Sequence, residues 1–270
     1  MKITNNIRQL YLPVQPTVRQ SADKVLYREF LPAPEIQPYI YCYWQLKTTE
    51  PLKEPFTYRV VADGCIDIFF ELQNPAFNFV MGFCKKYTQF PLDQKFHYVG
   101  IRFLPTMFPQ VFKVNAATLS NQFVALKTIL PTTAQFIQNY CQSGADVAQI
   151  IPLLNDYFVE KVSQADFDDD GRLYDAIAII LKNFGVLNVE TDLNTGISPR
   201  QLRRIFKYYI GDSAKTFSKV VRFQNILRAK PSKQSLKRNK LFYQGYYDQA
   251  HFIKEFKNFY GVTPGTAFGR

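Results

Sequence analysis

The sequence predicts an α+β N-terminal domain, a small antiparallel sheet or barrel plus helices, joined to an all-α C-terminal domain. Short runs rich in aromatic and β-branched residues occupy the first hundred residues. Apolar residues at helical spacing follow from about Thr106, and no strand-like run occurs beyond Gly171. Residues 163–171, between these regions, are polar and acidic like a linker. We therefore place the domains at residues 1–165 and 171–270.

Five strand-like runs define the N-terminal domain, and Pro, Gly or Asn residues separate them. Close spacing of short strands favours antiparallel pairing. Residues 1–34 are broken by prolines and are predicted to form a loosely packed arm. The runs are YIYCYWQLK at 39–47, TYRVVA at 57–62, CIDIFFEL at 65–72, FNFVM at 77–81 and HYVGIRF at 97–103.

Helical periodicity predicts the other elements. Gly185 stops one C-terminal helix, and Pro231 ends a longer one. The predicted helices span residues 131–140, 145–162, 172–184 and 213–230.

Positive charge is concentrated in the C-terminal domain. Residues 171–270 contain 18 Lys and Arg against 6 Asp and Glu, a net charge of +12, whereas residues 1–170 carry a net charge of −1. A near-neutral domain joined to a strongly basic one indicates that the second domain meets a polyanion. A solvated basic surface kept for solubility is the alternative.

Several function classes find no support in the residues. The four cysteines form no C-x-x-C pair, so we expect buried free thiols. Two histidines are too few for a histidine-rich metal centre, and no phosphate-binding glycine loop or nucleophile elbow occurs. We expect no cofactor, no metal and no enzymatic activity. Without a secretory signal or a long apolar span, we expect a cytoplasmic protein that does not contact the membrane.

Two segments of the C-terminal domain resemble each other. GISPRQLRRIFKYYIGDSAKTF begins at Gly196, and GYYDQAHFIKEFKNFYGVTPGTAF begins at Gly245. Alignment on Phe206 and Phe256 shows in each a turn glycine, an N-cap residue and a helix with an apolar stripe. The sequence therefore predicts two helix-turn-helix motifs linked by the long helix at residues 213–230.

The polar faces of these two helices carry groups that read DNA. Arginine pairs bidentately with guanine and glutamine with adenine, and the N-terminal part of a recognition helix enters the major groove. Two such helices joined by one stiff helix would enter successive major-groove turns, about 34 Å apart. The outward residues are Arg200, Gln201, Arg203, Arg204 and Lys207 in the first unit and Gln249, His251, Lys254 and Lys257 in the second. Phosphate contact or plain solvation is assigned to Lys207, Lys215, Lys219, Arg222, Lys233, Lys237, Arg238 and Lys240.

Both segments resemble the C-terminal domain of the AraC/XylS family of bacterial regulators. The strongest match is GYYDQAHFIKEFKNFYGVTP at 245–264, followed by GISPRQLRRIFKYYIG at 196–211. Two departures concern the helix before each turn, where Thr191 and Asp192 replace a Leu-Ala pair and KLFYQG at 240–245 is crowded by larger side chains. The resemblance places the DNA-facing positions on Arg200, Arg203 and Arg204, and on Gln249, Ala250, His251 and Lys254.

The N-terminal half resembles the sensor-like domain of one branch of the same family. The matching fragments are PEIQPYIYCYWQL at 34–46, VADGCIDIFFEL at 61–72 and VGIRFLP at 99–105. The resemblance implies a transcription activator modulated through its N-terminal domain, with double-stranded promoter DNA and RNA polymerase as partners. It leaves a small-molecule effector and a homodimer open.

The N-terminal domain contains two candidate sites, a group of carboxylates and an aromatic pocket. Asp63, Asp67 and Glu71 share one side of a predicted strand because their spacing is even. A carboxylate site is geometrically open, but we favour a turn aspartate at Asp63 and polar residues on a solvated face. An apolar effector pocket is predicted from aromatic residues that could equally form plain core, namely Phe69, Phe70, Phe79, Phe83 and Tyr98.

Two rival functions are distinguishable from DNA reading. An enzyme built on the N-terminal domain needs a pocket with converging titratable groups. An adaptor whose basic face meets an acidic protein shows steep salt dependence without any preference for a base sequence.

Overall fold

Strands occupy the first half of the chain and helices the second, as the sequence predicts. This computed structural model describes residues 4–16, 24–141, 145–168, 170–231 and 245–268. Within these ranges, no helix combines the length and the apolar character that crossing a membrane requires.

Two sheets form the β-rich region, and all their pairings are antiparallel. The strands are β1 (Val25–Phe30), β2 (Ile40–Thr48), β3 (Phe56–Val60), β4 (Ile66–Glu71), β5 (Asn74–Met81), β6 (Thr88–Leu92), β7 (His97–Phe103) and β8 (Phe123–Ala125). The larger sheet has six strands in the order β1-β2-β7-β4-β5-β8, and β3 pairs with β6 in a separate ribbon. Every predicted strand run overlaps an observed strand.

The predicted N-terminal arm is wrong. Residues 25–30 form the edge strand β1, and Tyr11 and Gln15 are buried in the core. The Gln15 side-chain amide bonds the backbone of Val61 in both directions, which ties the lead-in to the sheet. The four prolines of this segment lie before or after β1, so they remove no hydrogen bond from the strand ladder.

Two short helices pack on strand β5, and the described residues beyond β8 form helices joined by loops. The long helix predicted at residues 213–230 is present as a continuous helix, and the other three predicted helices are also present. The helices are α1 (Thr4–Leu10), α2 (Met107–Phe112), α3 (Leu126–Ile129), α4 (Pro131–Tyr140), α5 (Val147–Ser163), α6 (Gly171–Lys182), α7 (Val189–Asp192), α8 (Pro199–Tyr209), α9 (Ala214–Ala229), α10 (Gln249–Tyr260) and α11 (Pro264–Ala267).

Strand β4 shows how the sheet sorts its side chains. Ile66, Ile68 and Phe70 alternate on the buried face, and Asp67 and Phe69 alternate on the other. The larger buried cluster includes residues from both halves of the chain, from Ile7 to Ala267. The division at residues 165 and 171 stays a prediction. The four cysteines are buried free thiols.

Candidate nucleic-acid interface

Helix α8 begins with a local hydrogen-bonding pattern that its sequence encodes. The Ser198 hydroxyl accepts a hydrogen bond from the backbone N–H of Gln201, and the Gln201 side-chain oxygen accepts one from the backbone N–H of Ser198. This capping box satisfies two amides at the helix start, and Pro199 occupies the first turn, where no N–H is needed. The helix therefore starts at a defined residue.

The opposite faces of α8 separate apolar from cationic side chains. Leu202, Phe206 and Tyr209 are buried, and Ile205 is half-buried, as the predicted stripe requires. The predicted DNA-facing side chains all lie on the solvent side, and these are Arg200, Gln201, Arg203, Arg204 and Lys207. Gln201 differs from the others because the capping box uses its amide oxygen.

Helix α10 has the same plan with a different cap. The Asp248 carboxylate accepts a hydrogen bond from the backbone N–H of His251 at 2.7 Å. The predicted residues Gln249, Ala250, Lys254 and Lys257 are exposed, whereas His251 is half-buried. The His251 Nδ1 atom lies 3.3 Å from the backbone nitrogen of Tyr247, and its Nε2 lies 3.8 Å from Glu255. His251 is therefore partly occupied inside its own unit.

A buried ion pair joins α10 to the long helix α9. Glu255 accepts from Arg222 at 3.0 Å and from Lys219 at 2.8 Å, and its side chain is only 6% exposed. Arg222 also donates to the carbonyl of Gly245 and lies over the ring of Tyr246. The assignment of Arg222 to phosphate contact or solvation is wrong, because this side chain is buried and paired within the protein.

The carboxyl ends of both helices are anchored to the β-rich half. Lys85 bridges them, since its Nζ pairs with Asp212, just after α8, and its carbonyl accepts from Asn258 of α10. The Tyr209 hydroxyl, at the end of α8, donates to Asp168 at 2.6 Å. The N-terminal turns of the two helices, which carry most of the predicted DNA-facing residues, are the parts exposed to solvent.

The region before α10 is only partly described. The predicted phosphate-contacting residues Lys233, Lys237, Arg238 and Lys240, and the crowded segment at 241–243, lie outside the described residues. Before α8, the short helix α7 spans Val189–Asp192, and the N–H of Asn188 donates to the Asp192 carboxylate. The departure from the family pattern at Thr191 and Asp192 therefore coincides with a helix of a single turn.

A cavity of about 260 Å³ lies in the β-rich half, between the outer face of β4 and the β3–β6 ribbon. Of the predicted pocket residues, Phe69, Phe79 and Tyr98 line it. The prediction that Phe70 and Phe83 line the pocket is wrong. Both side chains are fully buried in the main core instead. Strand alternation accounts for this difference between Phe69 and Phe70.

The polar end of this cavity contains two of the three aspartate and glutamate residues singled out in the sequence. Asp63 and Asp67 converge on Arg102 of β7, which β4–β7 pairing places opposite Asp67. The expectation of a solvated face is wrong for Asp67, which is paired with Arg102. Asp63 is the predicted turn aspartate, since its Oδ1 atom accepts a hydrogen bond from the backbone N–H of Cys65 at 3.0 Å. Glu71 is separate and accepts from the backbone N–H of His97. Arg102 and Trp44, whose indole donates to Asp67, were missed because only the pairing of distant strands reveals their role.

Two family models match separate parts of the chain. A helix-turn-helix domain (HTH_18) matches residues 194–270, and a domain of unknown function (DUF6597) matches residues 28–125. No curated protein matches the sequence.

Two solved structures, both of ToxT from Vibrio cholerae, are similar over most of the chain. One, an apo variant from strain SCE256, is 12% identical with a TM-score of 0.43, and the other, from strain O395, is 10% identical with a TM-score of 0.40. Each comparison covers 92% of this chain and 98% of the other. TM-scores at this level do not establish a shared fold.

The match to the helix-turn-helix model covers α8 and α10, the turn before each of them, and the linking helix α9. The resemblance read from the two segments is thereby confirmed. Residues 194–270 of the chain form an AraC-type helix-turn-helix domain.

Proposed function

We propose that this protein is a sequence-specific activator of transcription whose helices α8 and α10 read two successive major-groove segments. The observation that carries the proposal is the shared design of the two helices. Each buries an apolar stripe, anchors its carboxyl end to the β-rich half and exposes polar residues from its N-terminal turns. Helix-turn-helix proteins use that part of the recognition helix to contact base edges.

The side chains divide the recognition between the helices. In this proposal, Arg200, Arg203 and Arg204 read the first segment, because guanidinium groups pair bidentately with guanine. Gln249, His251 and Lys254 read the second, and Ala250 packs against it. Lys207 and Lys257, one turn further along their helices, contact phosphates and set the register. Gln201 serves mainly as the N3 partner of the α8 cap.

We assign DNA binding to residues 171–270 and effector sensing or association to residues 1–165. Two segments of the cavity wall also contact the DNA-binding helices. The carbonyl of Ala62, between lining residues Val61 and Asp63, accepts from Gln224 of α9, and its N–H faces the carbonyl of Phe259 of α10 at 3.4 Å. The second segment continues from lining residue Cys84 to Lys85. An effector in the cavity would contact the immediate neighbours of the residues that bond α9 and α10.

The proposed role as an activator bears on two further partners, RNA polymerase and a second copy of this chain. An activator bound at a promoter contacts RNA polymerase, and we propose that contact for this chain. One chain carries both recognition helices, so two half-sites are readable without a homodimer.

Selection from a random double-stranded DNA library with the purified full chain tests the proposal. We expect enrichment of two short conserved segments whose centres lie about one helical turn, 10–10.5 base pairs, apart. Binding that is steeply salt-dependent but enriches no sequence would contradict it and favour an adaptor for acidic proteins.

A further inference from the structure

The cavity in the β-rich half combines aromatic walls with an acidic end. We propose that it binds a small organic cation, a molecule with an apolar or aromatic body and a protonated amine. The proposal relies on the function above only in naming this ligand an effector, since binding itself does not require DNA.

The walls suit the body of such a ligand. Phe69 is central, with ring-centroid distances of 6.2 Å to Trp44, 5.6 Å to Phe79 and 6.2 Å to Phe90. Aromatic faces attract organic cations and bury their apolar groups. The volume of about 260 Å³ is below the range of about 300–1,000 Å³ typical of drug-sized ligands, so the occupant is small.

The acidic end of the cavity favours a positively charged ligand group. Asp63 and Asp67 line the cavity, and Arg102 is the one Lys or Arg side chain among the described lining residues. Glu29 lies behind the guanidinium, 3.7 Å from its Nη1. Three carboxylates therefore surround one guanidinium. Burial raises the pKa of Asp67 to about 6, even though Arg102 and Trp44 favour its ionised form. Three carboxylates against one guanidinium leave an excess of acidic groups at this end of the cavity, and a ligand cation would balance it.

Arg102 is poorly placed to receive an anionic ligand. Its Nε and Nη2 atoms donate to Asp67 at 3.3 and 3.0 Å. Its Nη1 atom is buried and has no hydrogen-bond partner among the described residues. The whole side chain is only 1% exposed. Two of the three guanidinium nitrogens are thus already paired with Asp67, and an entering carboxylate would also meet the like charges of Asp63 and Asp67.

Three probes of similar shape and different charge test the proposal by calorimetric titration of the full chain at pH 7.5. They are 4-phenylbutylamine, 4-phenylbutan-1-ol and 4-phenylbutyrate. We expect the amine to bind at least about tenfold more tightly than the alcohol, a difference of about 1.4 kcal/mol, and the butyrate to bind most weakly. Equal or tighter binding of the butyrate, or no binding of the amine, overturns the proposal.

Two pairs of variants test whether the amine binds in the cavity. Asp67→Asn should lower amine affinity about tenfold, whereas Asp156→Asn, the same change on the exposed face of α5, should leave it unchanged. Met81→Lys places a cation at the cavity and should reduce the preference for the amine over the butyrate, unlike Leu31→Lys at an exposed site. If Asp67→Asn does not fold, the comparison of Met81→Lys with Leu31→Lys still tests whether the cavity is the binding site. Equal behaviour of Met81→Lys and Leu31→Lys overturns the cavity as the binding site.

Mobility-shift titrations on the same samples separate this inference from the proposed function. Sequence-specific DNA binding without amine binding removes the ligand proposal and leaves the regulator intact. Amine binding without sequence-specific DNA binding removes the proposed regulator function and leaves the ligand proposal intact.

Discussion

Helices α8 and α10 have matching positions in a duplicated unit, yet their charges are arranged differently. The exposed face of α8 carries four cationic side chains, Arg200, Arg203, Arg204 and Lys207. The exposed face of α10 carries two, Lys254 and Lys257, and its one carboxylate, Glu255, is buried in an ion pair with α9. The first helix exposes the larger number of cationic side chains, and the second is joined to the linking helix by a buried ion pair.

This difference teaches that the two units need not contribute equally to binding. An arginine guanidinium can pair with guanine through two hydrogen bonds, whereas a lysine ammonium acts as a point charge, so the contacts proposed for α8 are the stronger ones. The structural anchoring of α10 through Glu255 makes its position dependent on α9. We therefore expect α8 to dominate affinity and α10 to depend on the integrity of the α9–α10 junction.

The largest effect is expected from breaking that junction. Glu255→Ala leaves Arg222 buried without its carboxylate partner and should lower the free energy of unfolding by about 3–5 kcal/mol. Chemical denaturation measures the change. Glu190→Ala, which removes an exposed glutamate from α7, is the control and should stay within about 0.5 kcal/mol of the wild type. Equal stability of the two variants would show that the buried pair does not hold the unit together.

The glycines that follow the two helices give the next comparison. Gly211 and Gly261 have φ values of 102° and 95°, so alanine is strained at both, by about 1–3 kcal/mol. A Cβ on Gly211 would lie 3.1 Å from the carbonyl oxygen of Ala116 and from the Cβ of Phe83, neither of which can swing away. A Cβ on Gly261 would lie 3.0 Å from the Nε of Arg59 and 3.1 Å from the Cδ2 of Tyr87, which are side-chain atoms and can shift more easily than a backbone carbonyl.

Gly211→Ala should therefore lower the melting temperature more than Gly261→Ala. Thermal unfolding of both variants measures the order, and a reversed order would contradict the packing described between α8 and the β-rich half.

How far the sequence predicts these features depends on the range of the interactions. The apolar stripe of α8 was predictable because Leu202, Phe206 and Tyr209 recur at helical spacing within one element. Strand β7 was predicted at its observed bounds for the same local reason. The burial of Arg222 with Glu255 was not predictable, because 33 residues separate the partners. Asp67 and Arg102 also meet only through the pairing of β4 with β7.

The N-cap residues are expected to have a smaller effect. Ser198→Ala and Asp248→Ala each remove a side-chain acceptor from the first turn of a helix and should cost about 1 kcal/mol of stability. Ser198→Ala also removes half of a capping box, so Gln201 should lose its ordered position and α8 should fray at its N-terminal end, which we propose to face DNA. Hydrogen exchange at the first turn of each helix measures this fraying. Unchanged protection in α8 after Ser198→Ala would contradict the role given to the cap.

The smallest effect is expected at the phosphate-contacting positions. Lys207→Ala should weaken binding similarly on specific and scrambled DNA and lower the magnitude of the salt slope, d log K/d log[salt], by about 1. Titrations at several salt concentrations measure this slope. Loss of affinity confined to the specific site would instead make Lys207 a base-reading residue.

The central claim is that each helix reads its own half-site. It is tested by combining Arg204→Ala and Lys254→Ala with DNA in which either selected half-site is scrambled, as a double-mutant cycle. Arg204→Ala should cost about 1–3 kcal/mol on intact DNA and almost nothing once the α8 half-site is scrambled, and Lys254→Ala should show the same dependence, with a smaller loss, on the other half-site. Losses that are the same on every DNA would contradict the claim and reduce both residues to phosphate contacts.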